Sequence, residues 1–485
     1  MTAAFGNFID GAWTIQAGRR TFKSINPADT RDIIGEFVQS ELEDARGAIQ
    51  AAHNAFQQWS ALSPCARGEY LRKAADILES RLQEVAHAMV RENGKTIAEA
   101  RGETARGVAL LRYYAAEGMR QIGEVIPSAN PRTMLYTTRK PLGVVSIITP
   151  WNFPIAIPFW KIAPALVYGN TVVFKPASAT PHCGVLIAQI FEQAGLPRGV
   201  LNLVTGGGSA LGEELIKSVQ VHGISFTGSN PIGRRIALWA AEKGVKFQLE
   251  MGGKNPVIVL PDCDLEQATL LTLRGAFGYA GQKCTATSRA IVHDLAYEPF
   301  VARLLEKVKT LKIGPGSDET VFVPPVVSAE QQDSILEAIE KGRREGQLLC
   351  GGGPPEGEEF KYGYFLQPTI FGSVEPSSSL DQEEIFGPVL ALMRAHDLDE
   401  AIRLANGVRY GLSASIFTRD LNAVLEYCSR IEAGVIKVNG ETAGLEPQVP
   451  FGGMKESSSH SREQGRAAID FFTSVQTVYM DRAGL

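Results

Sequence analysis

The sequence predicts an α/β protein made of two successive α/β halves. Three observations carry this reading. Short apolar, β-branched runs alternate with amphipathic segments of helical length, the pattern of parallel βαβ units. Glycine-rich turns follow several of those runs and open the next amphipathic segment. The 485 residues are 44% apolar and 21% charged, which is ordinary for a globular chain and too apolar for disorder. At ~150 residues per domain, the length suggests two to four domains or subdomains.

Taken in order, apolar residues recur at three and four through 41–111 (Ala48, Ala51, Ala52, Ala55, then Leu71, Ala74, Ala75, Leu78), which predicts helices. Residues 103–119 continue that pattern. Over 123–140 the texture changes to β-branched and turn residues, a hairpin excursion. Strands are expected at 144–148, 171–174, 200–204, 223–226 and 247–249, with helices at 181–194, 210–217 and 231–243 between them. The halves meet near 251–255. Beyond lie a strand at 257–260, a helix at 265–277, a strand at 289–292 and a helix at 298–311. The pattern repeats with 399–406 and 421–429. Residues 351–357 read as a surface loop, and 473–481 as a strand reaching outward.

Residues 141–160 contain no charge and are long enough to span a membrane. Pro141, Pro150, Pro154 and Pro158 interrupt them, with Asn152 inside. Proline removes a donor and breaks a spanning helix, so a buried strand followed by a proline-rich turn is expected.

Composition excludes several functions. Forty-eight basic and fifty-three acidic residues leave a net charge of −5, no field for nucleic acid or an anionic membrane. Six cysteines contain no CxxC, and seven histidines are scattered, so no zinc ribbon, dithiol motif or metal cluster is expected. The sparse cysteines fit a reducing compartment. The first ten residues lack a basic n-region and an apolar run, so no signal peptide is expected and the expected location is cytoplasmic.

Glycine loops come first among candidate sites. Thr205-Gly-Gly-Gly-Ser-Ala-Leu-Gly212 is a near miss to GxGxxG, without a ribose-binding acid about twenty residues on. Phe226-Thr-Gly-Ser-Asn-Pro-Ile-Gly233 has P-loop spacing, but Arg234 and Arg235 replace the Lys-Ser/Thr pair. ATP is therefore not expected. A helix N-terminus there either receives a pyrophosphate or simply follows a tight turn. Gly281-Gln-Lys-Cys-Thr285 sets Cys284 among small and polar residues after a predicted helix. It is either a buried small apolar residue or a nucleophile. As a nucleophile it could have its pKa lowered by Lys283 and nearby helix dipoles. No histidine lies near it in sequence, so a base would be a carboxylate. Phe247-Gln-Leu-Glu-Met-Gly-Gly-Lys254 ends a strand with Glu250. That acid is either solvent-facing or buried and working, and the two glycines after it let the backbone approach something closely.

Together these segments resemble the aldehyde dehydrogenase superfamily over nearly the whole chain. The matching motifs are Pro150-Trp-Asn-Phe-Pro154, Lys175-Pro-Ala-Ser178, Phe226-Thr-Gly-Ser229, Leu249-Glu-Met-Gly-Gly253, Gly281-Gln-Lys-Cys284, Glu383-Glu-Ile-Phe-Gly-Pro388 and Pro450-Phe-Gly-Gly453, in the family's order. Around Trp160, 283–289 and 457–472 the chain looks most like the 2-oxoglutarate semialdehyde (2,5-dioxopentanoate) dehydrogenases, and less like the succinate-semialdehyde group.

The resemblance implies a Rossmann-like cofactor domain (1–122 and 142–252), an α/β catalytic domain (253–472) and a small β oligomerisation arm (123–141 and 473–485) that builds homodimers or homotetramers. It implies Cys284 as nucleophile, Asn152 as oxyanion donor and Glu250 as the base that deacylates the thioester. Lys175, Ser178, Gly228, Ser229, Trp151, Glu384 and Phe386 would bind NAD or NADP. Family members preferring NAD carry a glutamate at the position of Ser178. A neutral serine there implies that NADP+ is used well and NAD+ remains usable, unless Ser178 only caps the next helix. Phe153, Trp160 and Phe451 would form an aromatic substrate tunnel. Trp160 and Gly278 stand where the succinate-semialdehyde group has arginines. Arg106 is then either a replacement anchor for a substrate carboxylate or a solvated helix residue. The implied activity is NAD(P)+-dependent oxidation of a small carboxylated semialdehyde. Alternatives are a succinate-semialdehyde or broad aliphatic/aromatic aldehyde dehydrogenase, release of the acyl group to coenzyme A, and a non-catalytic NAD(P)-binding protein on the same scaffold. No metal is implied.

Overall fold

The computed structural model describes residues 3–15, 18–207 and 209–482. Gly208 of the glycine run and the last three residues of the expected arm lie outside the described residues.

Two seven-stranded sheets form the body. The first runs in the order Lys246–Glu250, Val221–Thr227, Val144–Ile148, Thr171–Lys175, Leu201–Leu203, Asn7–Ile9, Ala12–Thr14. Its first five strands are parallel, and the last two are an antiparallel hairpin. The second runs Gln347–Cys350, Thr369–Gly372, Val389–Ala395, Thr287–His293, Asn255–Val259, Ser413–Phe417, Val435–Val438. There every pair is parallel except the first. Apolar strands such as Val144–Ile148 and Asn255–Val259 are almost wholly buried, as parallel strands with helices on both faces must be.

The geometry that matters is how the sheets meet. Glu250 and Lys175 end strands of the first sheet, in register with Thr227 and Ile148. Asn255 begins a strand of the second sheet and pairs with Thr287, three residues beyond Cys284. Four residues, Met251 to Lys254, connect the two sheets. The carboxyl ends of one parallel sheet thus face the amino ends of the other, and clefts form at such ends.

The helical stretch expected over 41–111 is four helices, Leu42–Ala61, Pro64–Ser80, Leu82–Asn93 and Ile97–Glu117. Each break has a local cause. Ser63 caps the second helix, with Pro64 at its first position. Gly94, at φ 89°, ends the third. Thr96 and Glu99 form a capping box for the fourth.

Two expectations stand with altered bounds. The proline-rich turn after Val144–Ile148 leads into a buried helix, Ala156–Val167. Pro158 is its third residue, where no intrahelical N–H bond is lost, and only Pro164 lies in its interior. The helix expected at 298–311 is Asp294–Val308, with Pro299 inside it. The helix Ala329–Gly342 and the strands between Ala4 and Val38 were not foreseen.

Thr133–Pro141 pairs with Thr473–Asp481 over nine residues, with Val125–Ile126 on its other side. This small antiparallel sheet exposes Val125, Met134, Val475, Tyr479 and Met480. Among the described residues, no helix is long and apolar enough to cross a membrane.

Candidate active site

Glu250 is 1% exposed, which removes the solvent-facing alternative. Its main-chain carbonyl accepts from the Gly228 amide at 3.0 Å. Its Oε2 accepts from Ser458 Oγ at 2.6 Å, and its Oε1 has no protein partner. Burial raises its pKa well above the usual carboxylate range, and the nearby Glu463 raises it further. The Ser458 hydrogen bond and the charges of Lys161 and Arg462 pull the other way.

Cys284 follows a strained turn. Tyr279 and Ala280 lie in the left-handed region at φ 54° and 48°, just beyond the helix Leu265–Phe277. Non-glycine residues hold such angles only where their surroundings over-determine them, and they cluster at functional sites. Asn255 Nδ2 secures the far side of the loop, donating to the carbonyls of Cys284 (2.8 Å) and Ala286 (2.9 Å).

Burial outweighs the expected activation of this thiol. Burial pushes the Cys284 thiol up to about 12, and the carboxyls of Glu384 and Glu250 add to the rise. Lys283 donates to the Arg274 carbonyl, and the anionic groups that act on it are Glu441, Glu99 and then Cys284 itself. The preceding helix presents its C-terminal end, where the dipole is negative. Burial thus favours the thiol form over the thiolate.

Asn152 is 2% exposed, on the loop between Val144–Ile148 and Ala156–Val167. Its Nδ2 donates to the Gln282 carbonyl at 3.1 Å, two residues before Cys284, and its Oδ1 has no protein partner. One N–H of that amide is thus committed to the cysteine loop.

Glu384 accepts from the Gly253 amide at 3.0 Å, and burial brings its pKa to about 7. The close approach foreseen for the glycine pair is this one. A Cβ on Gly252 would lie 1.9 Å from Glu384 Oε2, and one on Gly253 would lie 2.8 Å from the Cys284 carbonyl. Phe386 has φ 54° and meets Trp151 edge-on at 5.4 Å.

At the ends of the first-sheet strands is a cavity of about 300 Å³ lined by Lys175, Ile148, Phe226, Ile232, Ile236 and Trp239. A largely apolar slot with two cations in its lining, Lys175 and Arg235, suits the adenine and ribose of a dinucleotide. Burial lowers Lys175 to about 8, so it stays mostly charged at neutral pH. Gly228 closes the turn into Asn230–Lys243, and Ser229 is that helix's N-cap without a side-chain cap bond. Ser178 does not cap the helix Pro181–Gln193. Thr180 is its N-cap, and its first amides at His182 and Cys183 bond to Glu92. Ser178 Oγ instead faces Gly207, 3.3 Å from where a Cβ would be.

On the opposite side, Trp160 and Phe451 rings lie 5.7 Å apart, and Phe153 meets Tyr279 at 6.1 Å. Arg106 is not a solvated helix residue. It is half-buried, 5.8 Å from the Trp160 ring, and close enough to Cys284 to favour a thiolate there. It donates to the Leu445 carbonyl and to Gln464 Oε1 at 2.9 Å. Its Nε and Gln464 Nε2 have no protein partner.

Sequence reasoning missed what stands behind Glu250. Lys161 and Glu463 form a buried ion pair, with Trp160 Nε1 donating to the same carboxylate at 2.7 Å and Lys161 also donating to Ser225 Oγ at 3.0 Å. A lysine inside an otherwise apolar helix was the available signal.

The profile of the aldehyde dehydrogenase family matches residues 13–478. The chain is 52% identical to the alpha-ketoglutaric semialdehyde dehydrogenase of Bacillus subtilis (strain 168), over 98% of this chain and 97% of that one. It is 44% identical to the 2,5-dioxopentanoate dehydrogenase of Saccharolobus solfataricus, over 96% and 97% respectively. The crystal structure of betaine aldehyde dehydrogenase from Staphylococcus aureus in complex with NAD+ superposes with a TM-score of 0.95 at 33% identity, covering 98% of this chain and 94% of that one. With the profile spanning nearly the whole sequence and the motif residues drawn to one junction between two parallel sheets, the chain belongs to the aldehyde dehydrogenase family.

Proposed function

We propose that this member of the family oxidises a small aldehyde bearing a distal carboxylate to the corresponding acid. The observation that carries the proposal is the meeting of partly buried Cys284 with buried Glu250 and Asn152 at the sheet junction. Cys284 Sγ bonds to the aldehyde carbon while its proton passes through solvent to the aldehyde oxygen, giving a thiohemiacetal; that proton returns to solvent as the hydride leaves. The second N–H of Asn152 Nδ2 and the Cys284 backbone N–H donate to its oxygen as charge develops there. Bound NAD(P)+ supplies the acceptor for the hydride that leaves this carbon. The carbon–sulfur linkage is then a thioester. Glu250 Oε1 takes a proton from water, the hydroxyl adds to the carbonyl, and Sγ leaves.

Lys175, Ser178, Gly228 and Ser229 would hold the adenosine and pyrophosphate, and Glu384, Phe386 and Trp151 the nicotinamide end. The apolar cavity beside Lys175 supports that placement. With serine at 178, both NADP+ and NAD+ are expected to serve. For the substrate, Arg106 is a cation near the thiol whose hydrogen bonds go to neutral oxygens only. A substrate carboxylate would complete it. The Bacillus and Saccharolobus relatives, by their names, fit a semialdehyde of 2-oxoglutarate. The exposed apolar residues of the small sheet support a homo-oligomer built through it. A cytoplasmic location rests on cysteine usage.

The test is an aldehyde panel read by absorbance of reduced cofactor. Carboxylated semialdehydes should exceed uncharged aldehydes of equal length by roughly tenfold or more in kcat/KM. Equal rates would favour a broad-specificity enzyme, for which the ring-lined side at Trp160 and Phe451 would suffice.

A further inference from the structure

We propose that Lys95 and Glu103 are positioning residues for Asn152, their buried ion pair fixing the backbone that carries the oxyanion-donating amide. This rests on the role given to Asn152 above.

The geometry is specific to one loop. Gly94 ends the helix Leu82–Asn93 in the left-handed region and turns the chain so that Asn93 and Lys95 both reach residues 151–156. Asn93 Nδ2 donates to the Trp151 carbonyl at 2.7 Å. Lys95 Nζ pairs with Glu103 Oε2 and donates to the Asn152 carbonyl at 2.9 Å. Glu103 Oε1 accepts from the amides of Ile155 (2.9 Å) and Ala156 (3.0 Å), where the next helix begins. The Lys95 ammonium also lies 4.7 Å from the Phe153 ring and 4.4 Å from the Tyr279 ring. Tyr279, in the strained turn before Cys284, donates to Asn93 Oδ1 at 2.6 Å. One cluster therefore grips the Asn152 loop and touches the cysteine loop.

Stability alone gives little reason for this pair. A buried ion pair loses its hydration, and an apolar pair of equal volume often serves the fold as well. What an apolar pair cannot do is tie charge-assisted hydrogen bonds to three backbone groups of one loop. An oxyanion donor needs that control, because its benefit depends on reaching where charge develops. Asn152 commits one N–H to Gln282. The direction of the other is then set by the backbone that Lys95 clamps.

The experiment is a double-mutant cycle on the full-length enzyme, read as the rate of the first-turnover burst of reduced cofactor. Lys95→Met alone should slow the burst roughly tenfold or more, with cofactor Kd unchanged. In the Asn152→Ala background the same change should alter the rate by less than about twofold. Glu103→Gln, nearly isosteric, should repeat this pattern and replaces Lys95→Met if that protein does not fold. Equal fractional losses in both backgrounds, or an unaltered burst in Lys95→Met, would overturn the proposal. An undiminished burst in Asn152→Ala alone would overturn the oxyanion assignment beneath it.

Discussion

Ser458 holds one oxygen of Glu250 and leaves the other without a protein partner. The two residues lie 208 positions apart and meet as an isolated antiparallel bridge. That hydrogen bond favours the ionised carboxylate, against burial and the charge of Glu463. Ser458 thus both aims the base and sets how much of it is ready at a given pH.

The sign of the pH dependence follows. A carboxyl with a raised pKa is protonated more often near neutrality, and its basic form grows as pH rises. The Cys284 thiol, raised for the same reason, moves in the same direction. Turnover should therefore climb from pH 6 toward pH 9. Ser458→Ala removes a contact that lowers the Glu250 pKa, so the rising limb should move to higher pH. Kcat near pH 7 should drop severalfold and recover in alkali. A pH–rate profile checks this, and an unmoved limb would show that the hydroxyl does not tune the base.

Arg106 offers a second test. Arg106→Ala should lower kcat/KM for semialdehydes by roughly ten- to hundredfold, ~1.5–3 kcal/mol for a charge-assisted contact. Uncharged aldehydes should be nearly unaffected. Equal losses for both classes would remove the anchor.

Cofactor choice turns on Ser178. A glutamate there would meet a 2′-phosphate as a like charge in a partly desolvated site. Lys175, lining the neighbouring cavity, attracts that phosphate instead. Wild type should turn over NADP+ readily. Ser178→Glu should shift the kcat/KM ratio toward NAD+ by about tenfold or more, ~1.4 kcal/mol. Wild-type enzyme inactive with NADP+ would refute this.

The parts of the fold legible in the sequence were those whose period was strong. Val144–Ile148, Thr171–Lys175 and Pro181–Gln193 stand close to where their patterns put them. The N-terminal hairpin was readable in principle. Asp10-Gly11, both at positive φ, is a tight-turn signature between Asn7–Ile9 and Ala12–Thr14. The helix Ala156–Val167 was hidden by prolines that its first turn tolerates. At the site, it was the family resemblance that joined Cys284, Glu250 and Asn152; the glycine pair after Glu250 marked a close backbone approach in its own right. The contacts of Glu463 with Lys161 and Ser458 with Glu250 span more than two hundred residues and leave no local signal. The net shift at Cys284 is set by burial, which spacing does not reveal and which outweighs the lysine beside it.

The central claim is that Cys284 carries the acyl group and Glu250 releases it. The direct measurement mixes Glu250→Gln enzyme with NAD(P)+ and a carboxylated semialdehyde, then follows reduced cofactor and the mass of the peptide holding Cys284. The account predicts a burst of about one equivalent per active chain, then a stall with the acyl group on Cys284. Steady turnover at the wild-type rate, or an acyl group on any other residue, would contradict it.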